Sequence, residues 1–292
     1  MIVNAWVHHS EHRSRGRRRM TETGRVPQGV DPRVPSVARI YDYFLGGKDN
    51  FASDREAADR VIRLGREQGY DIPALARANR AFLVRVIREL TDAGVRQFLD
   101  IGTGLPTQQN VHQVAATFGP RSRTVYVDND PTVLVHARAI LADTPDTVVV
   151  EGDLQRPGEI LADERVRAHL DFDQPVAILA LAVLHFFTDD AEVSRIISSL
   201  QDGLPSGGYL AISHTYVRRS DQNNVEQAQS VYGKTSAGGF VHRGPEELAA
   251  MLNGMEILEP GVVPVELWRP RHDQYPGDPG NSGYIGVLAR RP

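Results

Sequence analysis

Residues 97–104 read Gln-Phe-Leu-Asp-Ile-Gly-Thr-Gly: an apolar run ends in a carboxylate, Asp100, and two glycines follow, Gly102 and Gly104. A strand entering such a turn lets the backbone itself approach a ligand, because glycine tolerates close contact and unusual dihedrals. A polar helix start is expected at Thr107, presenting free N–H groups at the turn. Two more acids recur after β-type runs. Thr124-Val125-Tyr126-Val127-Asp128 ends about 24 residues beyond Gly104, and Thr147-Val148-Val149-Val150-Glu151 leads into Gly152-Asp153-Leu154. A carboxylate about 20 residues past a glycine turn, at the end of the second strand, is placed to accept from ribose hydroxyls. Asp128 fits that role, while Asp130, followed by Pro131, reads better as the N-cap of the next helix. Asp153 alone would be an ordinary turn residue.

The spacing departs from a dinucleotide site. Gly-x-Gly-x-x-Gly would need glycine where Thr107 stands, and Asp100 would repel a pyrophosphate. An acid there suits a cofactor carrying an ammonium and a sulfonium. Asp-x-Gly-x-Gly resembles the first motif of class I S-adenosylmethionine (SAM) methyltransferases. That resemblance implies that Asp153 accepts from the adenine amino group while Leu154 packs on the ring. It further implies cofactor contacts from Asp100, Gly102, Thr103, Gly104, Asp128, Asn129 and Ala182.

A more specific likeness lies upstream. Ala38-Arg39-Ile40-Tyr41-Asp42-Tyr43-Phe44-Leu45-Gly46-Gly47-Lys48-Asp49-Asn50-Phe51 resembles the opening signature of the actinomycete S-adenosyl methyltransferase family, once a domain of unknown function. The likeness continues through residues 98–107, Asn110-Val111-His112, Val125 to Pro131, Leu184-His185-Phe186, Ser213-His214 and Trp268-Arg269-Pro270, so it spans residue 35 to the end. Gln155 departs from it, standing where the family more often has arginine, and Pro106 replaces the third glycine of the broader class.

The implied fold is α/β: a Rossmann-like, mostly parallel seven-stranded sheet with helices on both faces and an N-terminal helical cap. Residues 36–93 are expected to form that cap over the C-terminal edge of the strands, and 94–292 the SAM-binding core. Ser36 is expected to cap a short helix ended by Gly46-Gly47, with a second helix from Ser53. Strands are expected at 175–182, 209–213, 256–266 and 283–290, helices near 158–170 and from Asp189-Asp190 to Leu204, and a Pro-rich excursion at 268–280. Residues 1–35 read as a tail without regular structure. Residues 1–19, with a basic run from Arg13 to Arg19, are expected to be a mis-called start ahead of Met20.

Composition narrows the chemistry. The 292 residues are 41% hydrophobic and 24% charged, an ordinary globular balance. A net charge of −4 gives no general case for nucleic acid or an anionic membrane. With no cysteine, disulfides, thiolate metal sites and a thiol nucleophile are excluded; no metal site is expected. A cytoplasmic enzyme is the expectation. His185, just beyond the fourth strand, is the leading base or acceptor-orienting candidate. Tyr41 and Tyr43 are candidates to close the pocket, and His214 and Tyr216 to line its far wall. The sequence Ala182-Val183-Leu184-His185-Phe186 lacks the Pro-Pro-aromatic grip of amino-directed nucleic-acid methyltransferases, so a small-molecule acceptor is expected. A catalytically silent SAM-binding regulator or partner protein stays open as the alternative.

Overall fold

The alternating direction of side chains along the strands divides the core in two. In the computed structural model, which describes residues 30–106, 109–119, 121–141, 144–217, 225–270 and 283–292, three helices precede the sheet. They are α1 (Val37–Phe44), α2 (Ala52–Glu67) and α3 (Ile72–Asp92). β1 (Gln97–Ile101), α4 (Val111–Phe118), β2 (Arg123–Asp128), α5 (Pro131–Leu141) and β3 (Thr147–Glu151) follow, then the short α6 (Pro157–Ala162) and α7 (Glu164–His169). β4 (Ala177–Leu181) leads through one 3-10 turn, Leu184–Phe186, into α8 (Asp190–Gly203). β5 (Tyr209–Thr215), α9 (Val225–Tyr232), α10 (Pro245–Met251), β6 (Glu256–Ile257), β7 (Val263–Pro264) and β8 (Tyr284–Arg290) complete the order. The expected tail up to residue 29, the helix start at Thr107 and most of the Pro-rich excursion lie outside the described residues.

The sheet runs β3-β2-β1-β4-β5-β8-β6, with β7 also on β8. β1 to β5 are parallel and β8 is antiparallel to β5. The strand expected over 256–266 is two short pieces pairing with β8, at Glu256 to Ile257 and Val263 to Pro264. The sheet therefore has seven strand positions, the last one interrupted. Successive side chains point to opposite faces, and the core follows that period. Leu99, Ile101, Ile178, Ala180, Leu210, Ile212, Ile285 and Val287 meet α6, α7, α8 and α10 on one face. Phe98, Ala177, Leu179, Ala211 and Leu288 meet α3 and α4 on the other.

That second face corrects the expected position of α3. α3 lies across the sheet, with Phe82, Leu83, Val86, Ile87 and Leu90 in the same core as Phe98 and Leu179. Phe82 meets Trp268 edge-on at 5.3 Å, and Arg85 Nε donates to the Trp268 carbonyl at 2.8 Å. α1 and α2 instead build a separate small cluster around Ile40, Phe44, Ala58 and Val61. Its polar centre is Asp54, fully buried, which accepts from Ser36 N–H, Phe51 N–H and Arg39 Nε. Ser36 does not cap its own helix through its side chain; its hydroxyl donates to Asp130, across the opening between α1 and α5. The helix expected near 158–170 is broken at Asp163, whose carboxylate caps α7 by accepting from Arg165 and Val166 N–H.

Candidate functional site

The chain runs from β1 towards β2 and β3 on one side and from β4 to β5 on the other, so the crevice between β1 and β4 is the switch point where such sheets bind ligands. The glycine turn lines it. Gly102 N–H donates to the Val127 carbonyl at 2.9 Å, and Thr103 Oγ1 to the Asp100 carbonyl at 2.9 Å. Gly102 has φ +71°, and a Cβ there would lie 2.7 Å from Val183 Cγ2, so side-chain packing between the two loops requires glycine. Gly104 has φ +66°, but its missing Cβ would face open space; there the requirement is conformational. Its N–H donates to Asp128 Oδ2 at 2.9 Å, while Asp130 N–H donates to Asp128 Oδ1 at 2.9 Å. Beyond the turn, Asn110 precedes α4, which runs from Val111.

These loops open on a cavity of about 680 Å³, within the range of small-molecule sites. Asp31, Asp42, Asp100, Asp128, Asp130 and Asp153 line it, against two arginines, Arg39 and Arg80. Arg39 is already paired with Asp54 at 2.7 Å, and Arg80 Nη2 donates to the Gln109 carbonyl. Burial pushes the Asp100 carboxyl up to about 7, with Asp128 adding repulsion and Arg80 opposing it. Burial likewise raises Asp128 to about 6, against the pull of its backbone donors.

A measurable consequence follows for the protein alone. A carboxyl raised in the folded state binds more protons there than when unfolded, so its contribution to stability falls as pH rises from about 4 towards 7. The buried His185, His214 and His242, whose pKa values burial lowers, contribute in the opposite sense. The readout is therefore the difference: in thermal melts of the cofactor-free protein, Asp100→Asn is expected to gain melting temperature relative to wild type as pH rises across that window. A profile between pH 4 and 7 that is unchanged in the variant would contradict this account of Asp100.

Of the remaining expected cofactor residues, Thr103, Asn129, Asp153 and Ala182 line the cavity. Asp153 Oδ1 also accepts from Gln155 N–H at 2.9 Å, and Gln155 is itself part of the wall. Ala182 has φ +54°, an uncommon conformation for a residue with a Cβ. Its N–H donates to Ser213, to the carbonyl at 3.0 Å and to Oγ at 2.9 Å, which holds the strained residue in place. Leu154 is a correction. It does not line the cavity but turns into the core with Ile160 and Leu161, 5% exposed.

The catalytic candidates separate in the same way. His185 is buried, lines the cavity and has no partner for Nδ1. Burial and the neighbouring His214, His242 and Arg243 depress its pKa, so the ring is neutral. Tyr41 also lines the cavity, with its hydroxyl donating to the Ala76 carbonyl at 3.2 Å and accepting from Asn79 Nδ2 at 3.0 Å. Tyr43 points elsewhere and donates to Asp59 at 3.0 Å. Neither His214 nor Tyr216 forms the far wall; Thr215 between them does. His214 stands behind His185, their rings 5.7 Å apart. Its Nδ1 faces the Thr215 carbonyl at 2.9 Å and must donate, and its Nε2 receives Arg243 Nη1 at 3.1 Å and must accept. One neutral tautomer is thereby fixed, consistent with a pKa lowered by burial to about 3.

Sequence reasoning missed Arg243. Buried on the chain before α10, it also donates to Asp190 Oδ1 at 2.8 Å and to the Phe187 carbonyl at 3.0 Å. Asp189 alone caps α8 through its side chain; Asp190 holds Arg243. An isolated arginine with partners 29, 53 and 56 residues away leaves no local signal.

A family model described as S-adenosyl methyltransferase matches residues 23–292. A crystal structure of a DUF574 family protein from Streptomyces avermitilis MA-4680 is similar at 37% identity, covering 90% of this chain and 99% of that one, with a TM-score of 0.81. A crystal structure from Thermobifida fusca YX, described as a candidate methyltransferase, is also 37% identical, over 92% and 99% of the two chains, with a TM-score of 0.82. No curated protein matches the chain significantly.

Proposed function

The chain belongs to the S-adenosyl methyltransferase family, and from that premise we propose that it transfers the methyl group of SAM to a small-molecule acceptor. The observation that carries this reading is the acid-rich wall at the β1–β4 crevice, where Asp100, Asp128 and Asp153 from three successive strand ends line one cavity. The residues present fit the cofactor. Asp100, held near neutrality by burial, gains its charge when an ammonium group lies beside it. Asp128 keeps a free lone pair on each oxygen for a ribose hydroxyl. Asp153 and Gln155 are assigned to the adenine edge, and Asn129 is a further cofactor contact; all three line the cavity.

When bound, SAM supplies a methyl group made electrophilic by its sulfonium. What the protein adds is alignment and exclusion of water. α1 contributes Tyr41 and Phe44 to the cavity wall, and His185 offers a neutral imidazole to the acceptor. A cavity of this size favours a small acceptor over a polymer. Among the described residues no helix is long and apolar enough to cross a membrane, and we place the activity in the cytoplasm.

Calorimetric titration of SAM across pH is the test. The ionised form of Asp100 is the one that binds a cation, so affinity is expected to rise with pH through about 7. The gain is up to about tenfold per pH unit, with proton release, and it ends between pH 7 and about 8, where the ligand's own ammonium starts to lose its proton. Asp100→Asn should bind more weakly and lose that dependence. Absence of SAM binding by folded protein at pH 8 would remove the proposal.

A further inference from the structure

The cavity has two chemically different ends. Asp100, Asp128, Asp130 and Asp153 stand where the loops after β1, β2 and β3 meet. The other end is assembled from remote segments: Phe186 after β4, Tyr232 closing α9, Phe240 before α10 and Tyr284 opening β8. These rings brace one another. Tyr232 and Phe240 meet edge-to-face at 4.8 Å, and Phe186 and Tyr232 lie 6.0 Å apart. His185 sits among them, 6.5 Å from Phe240 and 6.2 Å from Tyr284, both edge-on. Aromatic side chains locked in this way form a rigid wall that favours another flat ring.

Charge is absent from this end of the described wall. Of the two lining arginines, Arg39 is tied to Asp54 and Thr132, and Arg80 stands between Asp100 and Tyr41 and donates to the Gln109 carbonyl. Asp42 is held by Asn50 and Asp49 N–H. Arg243, the cation behind His185, is committed to Asp190, the Phe187 carbonyl and His214. Among the described residues at this end, a carboxylate or phosphate ligand would find no uncommitted cation, and an ammonium no carboxylate; burying either unpaired is unfavourable. A polar group at this end is His185, which lines the cavity and whose neutral ring has one accepting and one donating nitrogen. The Tyr41 hydroxyl proton is already directed at Ala76.

We propose that this end of the cavity takes a neutral, flat aromatic compound bearing a phenolic hydroxyl, its ring against Phe240 and Tyr232 and its O–H directed to His185. The proposal rests on the methyltransferase reading, because it makes this compound the methyl acceptor: its oxygen would form the O–CH3 bond as the S–CH3 bond of SAM breaks to leave S-adenosylhomocysteine, and its proton would pass to the neutral His185 ring. The experiment is calorimetry on the full chain saturated with S-adenosylhomocysteine, using 2-naphthol, 2-naphthoate, 2-methoxynaphthalene and 1-octanol as probes. 2-Naphthol is expected to bind about tenfold more tightly than 2-naphthoate or 1-octanol. Phe240→Leu should weaken 2-naphthol about fivefold with S-adenosylhomocysteine affinity retained, and His185→Phe should erase the preference for 2-naphthol over its methyl ether. Tyr232→Leu replaces the first variant if that one does not fold. Equal binding of 2-naphthoate or 1-octanol, or unaltered 2-naphthol affinity in the leucine variant, overturns the proposal. If wild type does not bind S-adenosylhomocysteine, the methyltransferase reading fails separately, and the same series without it judges the aromatic end alone.

Discussion

Asp128→Ala is expected to weaken SAM binding by at least about 100-fold while leaving a folded protein. Hydrogen bonds to a charged group are worth about 1.5–3 kcal/mol each, so losing two to the ribose hydroxyls costs about 3–6 kcal/mol, or two to four decades in Kd. The variant also frees Gly104 N–H and Asp130 N–H, both now held at 2.9 Å by the carboxylate. Gly104 borders open space, so water can replace that bond and the loss of stability should be modest. Asp128→Asn is expected to fare little better. Its amide must turn an N–H₂ group towards one of two backbone donors, which leaves that side of the turn repulsive. Calorimetry with a parallel thermal melt separates the two effects. Unchanged SAM affinity in a folded Asp128→Ala protein would falsify the ribose assignment.

Asp128 could be found from sequence because its signal is local: a β-branched run, an acid at its end and a fixed interval from the glycines. Asp100, Gly102 and Gly104 were legible for the same reason, and the strands came with them, since the alternation of Leu99, Ile101 with Phe98 is a sequence property. What failed was direction and distance. Leu154 is adjacent to Asp153, but it stands inside the turn closed by Arg156 N–H on the Asp153 carbonyl, where the core takes the leucine and leaves Asp153 at the cavity. His214 and Tyr216 were read as wall residues when the alternation of β5 puts Thr215 there. Arg243, Tyr232 and Phe240 come together only through the folds of the chain after β5. No short-range pattern marks them. The family signature at residues 38–51 was recognisable, yet its physical content was not. Asp42 accepts from Asn50 Nδ2 at 2.9 Å and Asp49 N–H at 3.1 Å, and any Cβ on Gly47 would fall 1.9 Å from its carboxylate. Much of the signature is thus a turn closed on its own side chains, with Tyr41 and Phe44 left to face the cavity.

The same region carries the largest expected effect on stability. Asp54→Ala should destabilise the protein by about 3–5 kcal/mol, the usual cost of removing one partner from a buried ion pair. Asp54 and Arg39 are both buried, and three donors converge on the carboxylate: Ser36 N–H, Phe51 N–H and Arg39 Nε. Truncation would strand the Arg39 guanidinium with only Thr132 Oγ1 and the Val34 carbonyl, and would open the N-terminus of α2. Arg39→Met should cost less, because Asp54 keeps its two backbone donors. The paired variant Arg39→Met/Asp54→Leu should recover only part of the loss, since the N–H groups of Ser36 and Phe51 stay unsatisfied. Thermal melts are expected to fall on the order of 10 °C for Asp54→Ala. Because α1 positions Ser36 against Asp130 and Tyr41 at the cavity, SAM affinity should fall with it even at temperatures where the sheet is intact. Hydrogen exchange would show faster opening of α1 and α2 than of α3, whose core is continuous with the sheet. A melt within 1 °C of wild type, with α1 still protected, would mean that the Arg39–Asp54 pair does not hold the helices over the site.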